Sequence, residues 1–180
     1  MLTKRQIRSK ILLRLKTQKE ESRERKSKVI FDKLFRTSGF KKARIVMFYI
    51  SFDGEVDTRQ MIEEARRLGK IVAVPACKKK GIIYPVILKG HARLRKGPYG
   101  VYEPALQRPI DLSKIDLVIV PGVAFDKRGN RLGRGKGCYD KLLKRLPRRT
   151  PTLGLAFDFQ ILPSLPATTH DVSVKKVLFN

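Results

Sequence analysis

The 180-residue chain carries 41 Lys and Arg against 16 Asp and Glu, a formal charge of +25, and 42% of it is hydrophobic. That length and apolar content suit one domain over 1–180 with a real core, and the charge points to anionic partners: nucleic acid, nucleotide phosphates or an acidic metabolite. No apolar stretch approaches the roughly 20 residues that would span a bilayer, Cys77 and Cys138 have neither metal-ligand spacing nor a disulfide framework, and the N-terminus is charged where a signal peptide would be apolar, so a cytoplasmic protein is expected.

Taken in order, Thr3 is placed to cap a first helix in which Ile7, Ile11, Leu12 and Leu15 recur at helical spacing, with Lys4, Arg5, Arg8, Lys10 and Arg14 on other faces. A second, highly charged helix is expected from about 20 to 36, burying Val29, Ile30 and Leu34 before Gly39 ends it. Residues 45–50 read as the first core strand. The loop 51–57 follows at its C-terminal end, where open α/β sheets bind ligands, and singles out Glu55, although a lone loop carboxylate is more often solvated. Asp57 or Thr58 caps the next helix, Gly69 stops it, and 71–75 is a second buried strand, which makes a β-α-β unit. Between 78 and 104 the pattern changes to short strands, 82–88 and 92–94, among glycines, and predicts an antiparallel excursion from the main sheet.

Leu117, Val118, Ile119 and Val120 form a continuous apolar run that stops at Pro121-Gly122, as a fully buried strand does. After it, Gly133, Gly135 and Gly137 alternate with Arg134 and Lys136 before a helix opens near Cys138. Glycine lets backbone N–H groups approach a ligand, a helix N-terminus adds partial positive charge, and Arg131, Arg134 and Lys136 add full charges: the chemistry of a phosphate cradle. Asp140, just inside the helix, offers the hard oxygen that Mg²⁺ needs beside such phosphates. The P-loop pattern and the dinucleotide fingerprint are both absent, and a Gly/Arg loop can also be a mere turn. Asp126 reads either as a strand-end turn residue or as a partner behind a metal ligand. A strand over 152–157 and a turn at His170-Asp171 leading into a last strand complete the chain. The expected fold is α/β: a mostly parallel central sheet flanked by helices, three-layered and Rossmann-like, with a small antiparallel excursion.

At this point the chain resembles the 5-formyltetrahydrofolate cyclo-ligase (5,10-methenyltetrahydrofolate synthetase) family. The resemblance rests on residues 121–126, Gly129, Arg131-Leu132-Gly133, Gly135, Gly137 and Tyr139-Asp140, with support from Lys4, Arg8, residues 55–58, Tyr99-Gly100-Val101, Glu103-Pro104, Gln160 and His170-Asp171 in the same order. It implies an ATP- and Mg²⁺-dependent ring closure of 5-formyltetrahydrofolate to 5,10-methenyltetrahydrofolate, with ADP and phosphate released through a phosphorylated formyl intermediate. Carried over, Lys4, Arg5, Gln6, Ile7 and Arg8 would meet ATP, as would Arg131, Leu132, Gly133, Arg134, Gly135, Lys136, Gly137, Cys138 and Tyr139. Ile50 and Glu55 would line the folate site together with Arg134, Gly135, Lys136, Gly137 and Cys138; Arg134 and Lys136 would act catalytically; Asp140 and Asp171 would hold Mg²⁺. Cys138 departs from the family's usual Tyr, and 174–180 departs from its usual polar ending. A monomer without a specific nucleic-acid partner is implied. The alternative is a nonenzymatic basic RNA- or nucleotide-binding protein, against which stand aromatics that form no stacking platform and the lack of an RNA-binding signature.

Overall fold

The computed structural model describes residues 2–78, 81–90, 93–97, 100, 102–106 and 108–180, so Ala92, Tyr99 and Val101 lie outside the described residues. Helix α1 (Lys4–Thr17) begins with the expected cap: Thr3 Oγ1 accepts from Gln6 N–H while the Gln6 side chain accepts from Thr3 N–H. Helix α2 (Glu20–Arg36) buries Ile30 and Leu34 but leaves Val29 39% exposed. Its inward stripe runs Arg23, Ser27, Ile30, Leu34, which turns position 29 aside. Nor does Gly39 end it: the extended Thr37 closes α2 and caps the short α3 (Ser38–Lys42), in which Gly39 lies.

Six strands form the main sheet: β1 (Ile45–Met47), β2 (Ile71–Lys78), β3 (Ile82–Ile87), β6 (Leu117–Val120), β9 (Thr152–Ala156) and β11 (Lys176–Phe179), in the order β11-β9-β6-β1-β2-β3. All neighbours are parallel except β3, which runs antiparallel to β2 with Val74 opposite Val86. Thus β3 is the edge of the main sheet, and the excursion proper is the hairpin of β4 (Leu94–Lys96) and β5 (Tyr102–Pro104).

Alternation along the buried strands separates two cores. Leu117 and Ile119 of β6 pack on the side of α1, α2 and α4 (Arg59–Arg67), whereas Val118 and Val120 face Leu142 and Leu143 of α5 (Cys138–Arg145). Both faces of the central strand are therefore covered, which is why it reads as an unbroken apolar run. This confirms the three-layer, mostly parallel α/β architecture. Thr58 is the N-cap residue of α4, yet its hydroxyl donates to Tyr49 O and makes no cap bond; it is Asp57 Oδ1 that accepts from Arg59 N–H, at 2.9 Å.

The stretch after Pro121 holds more structure than a loop. Strands β7 (Ala124–Asp126) and β8 (Arg131–Leu132) pair antiparallel, and β10 (Ile161–Leu162) joins β7 in a second sheet. Buried Asp126 builds their turn, accepting from Arg128 N–H, Asn130 N–H, the Asn130 side-chain amide and Leu165 N–H, so it is a turn residue and makes no approach to a metal ligand through these bonds. No helix among the described residues is long and apolar enough to cross a membrane.

Candidate functional site

A cleft of about 570 Å³ opens at the C-terminal ends of β1, β2 and β6, where parallel strands expose their last residues and an open α/β sheet can admit a ligand. Tyr49 and Ile50 enter it from beyond β1, Ala76 and Cys77 from β2, and Pro121 to Val123 from beyond β6. Helix α1 brings Lys4 and Arg8 across the top. The glycine loop and the first turns of α5 form the facing wall.

The loop has the backbone that the glycines foretold. Gly135 (φ 103) and Gly137 (φ 65) lie in the left-handed half of conformational space, and Gly137 is the residue from which α5 starts. Arg8 Nε donates to Gly133 O at 2.9 Å and lays its guanidinium beside Gly135, within 3.7 Å of where a Cβ would stand. A cation, left-handed glycines and a helix N-terminus thus converge on one corner.

Arg131, expected as a cation for phosphate beside Arg134 and Lys136, is held by the protein itself. Its side chain is only 3% exposed; Nη2 donates to Asp140 Oδ1 at 2.8 Å and Nη1 reaches Pro121 O at 3.4 Å. It stands behind the loop and orients Asp140. The same Asp140 oxygen accepts from Val172 N–H, tying α5 to the turn that carries Asp171. Asp171 Oδ2 accepts from Lys4 Nζ at 2.5 Å and from the Thr168 N–H and hydroxyl. Burial alone would push this carboxyl up, but those donors outweigh it and hold Asp171 below the usual carboxylate range.

On the opposite side Glu55 is buried and its carboxyl is pushed up to about 7 by burial, which the Arg134 guanidinium and the Phe52 N–H offset only in part. Arg134 reaches over from the glycine loop: Nη2 to Glu55 Oε1 at 3.2 Å, Nη1 to Asp53 Oδ2 at 3.0 Å, with the guanidinium 4.2 Å from the Phe52 ring centre. Nearby, the Tyr139 hydroxyl is enclosed without a hydrogen-bond partner among the described residues, and burial drives its phenol well up. An enclosed orphan hydroxyl in a cleft wall suits a ligand that completes it. Cys77 and Cys138 line the same space, and burial raises both thiols, so neither is set up as a thiolate nucleophile.

The structure brings together Lys4, Arg8, Ile50, Glu55, residues 131–140 and Asp171 around one cleft. Arg5, Gln6 and Ile7 are not part of its wall: Arg5 is exposed, Gln6 completes the helix cap, and Ile7 is buried in the core. Sequence reasoning missed Tyr49, Glu103, Lys141 and Lys144 as cleft residues. Glu103, 4% exposed, joins the small hairpin to the main sheet by accepting from Cys77 N–H at 2.9 Å and pairing with Arg95. Gln160 was noted only as a matching residue; its amide donates to Gly122 O and Val123 O and its carbonyl accepts from Phe157 N–H, which fixes the exit of the central strand.

Fold and cleft together define a three-layer α/β protein with a cation-lined, glycine-rich corner at the carboxyl ends of its strands. The chain belongs to the 5-formyltetrahydrofolate cyclo-ligase family, a family of ligases, whose sequence model matches residues 1–180. It is 30% identical to the 5-formyltetrahydrofolate cyclo-ligase of Mus musculus over 98% of this chain and 93% of the relative, and 35% identical to that of Escherichia coli K12 over 76% and 78%. The Aquifex aeolicus 5,10-methenyltetrahydrofolate synthetase structure superimposes with a TM-score of 0.87 at 32% identity, covering 99% of this chain and 90% of that one.

Proposed function

We propose that this protein, as a cytoplasmic monomer whose catalytic domain is 1–180, uses ATP to close 5-formyltetrahydrofolate to 5,10-methenyltetrahydrofolate, releasing ADP and phosphate. The observation that carries this reading is the pairing, across one cleft, of a cationic glycine loop at a helix N-terminus with a buried carboxylate. The first suits a triphosphate. The second suits the amine and amide edge of a pterin, with Glu55 accepting its hydrogen bonds beside Ile50.

The formyl oxygen is a poor leaving group. In this reading it attacks the γ-phosphorus and expels ADP; N10 of the folate then attacks the activated carbon, and the carbon–oxygen bond breaks to release phosphate. No side-chain nucleophile is required, in keeping with two thiols held protonated, so the protein's part is positioning and charge stabilisation. Arg134 and Lys136 offset charge on the transferred phosphoryl group, while Lys4, Arg8 and the 133–139 backbone hold the nucleotide.

The residues fit Mg²⁺ in a particular way. Among the described residues no group of three or more acidic, His or Cys side chains could hold a metal, but Asp140 Oδ2 and Asp171 Oδ1 take no hydrogen bond from the described residues while their partner oxygens are anchored. Two carboxylates completed by phosphate oxygens and water are the usual Mg²⁺ arrangement at a nucleotide. Asp140 and Asp171 would hold the ion, which would supply positive charge to offset that of the phosphates. The test is a turnover assay that follows the methenyl chromophore while ATP, Mg²⁺ or formylfolate is omitted one at a time: each omission should abolish the signal. Salt-sensitive RNA binding without turnover would overturn the reading.

A further inference from the structure

Two side chains to which the proposed function gives different ligand groups are bound to each other. Arg134, assigned to phosphate, covers Glu55, assigned to the pterin: Glu55 Oε1 accepts from Arg134 Nε and Nη2, and Oε2 accepts from Phe52 N–H. Oε1 already takes two bonds, so an incoming amine edge that is to use this oxygen competes with the guanidinium. Two further residues of the same loop complete the hold. Asp53 accepts from Arg134 Nη1 at 3.0 Å, and the Phe52 ring lies under the guanidinium at 4.2 Å. Asp53 does this from φ 53, a left-handed conformation that Asp and Asn tolerate better than other residues with a Cβ, with Lys16 3.6 Å from its other oxygen.

We propose that Asp53 is a positioning residue that, with Phe52, holds Arg134 against Glu55 until a nucleotide phosphate draws the guanidinium away, so that nucleotide binding opens the folate pocket. The inference rests on the function proposed above. It follows from competition for one cation: a triphosphate offers more acceptor oxygens and charge than Asp53 and Glu55, and the latch is loose enough to yield, because Arg134 and Asp53 are each about 30% exposed. By linkage, whatever nucleotide does to folate affinity, folate does to nucleotide affinity.

The test measures the dissociation constant of 5-formyltetrahydrofolate on the full chain, with Mg²⁺, in the presence and absence of a non-hydrolysable ATP analogue. In the wild type the analogue should tighten folate binding roughly tenfold. Asp53→Asn, which keeps a side chain tolerated at positive φ, should bind folate several-fold more tightly without the analogue and change little with it, so that the ratio falls toward one. Phe52→Leu should move the ratio the same way by less. A purely structural role would weaken binding equally in both conditions and leave the ratio intact, which overturns the proposal, as does a wild-type ratio of one. A wild type that binds the analogue but no folate overturns the functional reading as well.

Discussion

Asp171 and Glu55 are carboxylic acids in the same cleft held in opposite states. Asp171 is buried enough to be pushed up, yet Lys4 and the Thr168 donors bring it below its ordinary range, whereas burial dominates at Glu55 and leaves it near 7. Surroundings, not residue type, separate the two. The rim beneath α1 keeps its acid ionised for cations and for what cations attract; the deeper pocket holds one that stands near its protonation midpoint at neutral pH and suits a hydrogen-bonding edge. The largest break in that contrast should come from the rim. Asp140→Asn removes the charge but keeps an oxygen for Arg131 Nη2 and Val172 N–H, so turnover should fall by at least ~100-fold while circular dichroism shows an intact fold. Unchanged turnover would take Asp140 out of the metal site.

The deep side is tested through protons. Folded Glu55 keeps its proton up to about pH 7, whereas in the unfolded chain it loses it near the ordinary 4.5 of a glutamate. Between these values the folded state binds the extra proton, so Glu55 makes stability fall as pH rises, by on the order of 3 kcal/mol across the window. Asp171, Asp126 and Asp158 are shifted the other way and lose their contributions only as pH drops below about 4, outside it. Denaturant unfolding of wild type and Glu55→Gln at pH 5 and pH 7.5 should show the wild type losing stability relative to the variant at the higher pH. The same variant should weaken folate more than ATP binding, and the opposite ranking would refute the assignment of Glu55.

Much of this contrast could be read before the structure. An unbroken Leu-Val-Ile-Val run announces a strand covered on both faces, alternating glycines announce left-handed backbone, and Asp140 beside them announces a rim carboxylate. Other features leave no periodic trace. Strands β7 and β8 are three and two residues long, and β8 begins with an arginine. The burial of Arg131 depends on Asp140 and Pro121 closing round it, contacts that spacing does not encode. Glu103 and Tyr49 reach the cleft only because the sheet order places β2 beside β1 and the small hairpin against β2.

Smaller effects separate the charge at the rim from the helix that carries it. Lys4→Met should raise the KM for ATP about tenfold and leave that for folate nearly unchanged, because it removes one charge-assisted partner of the phosphates without touching Glu55. Thr3→Ala, one residue earlier, should cost about 1 kcal/mol of stability by removing the hydroxyl that accepts from Gln6 N–H, and should raise the KM for ATP less than threefold. The reasoning is that Ile7, Ile11 and Leu15 still anchor α1 in the core, so only its first turn frays while Lys4 keeps Asp171 as a partner for most of the time. Were Thr3→Ala as damaging to ATP binding as Lys4→Met, with the melting temperature little changed, the placement of the first turn rather than the ammonium itself would be what the nucleotide reads. The rim would then be organised by helix geometry, and its difference from the deep pocket would no longer be one of charge.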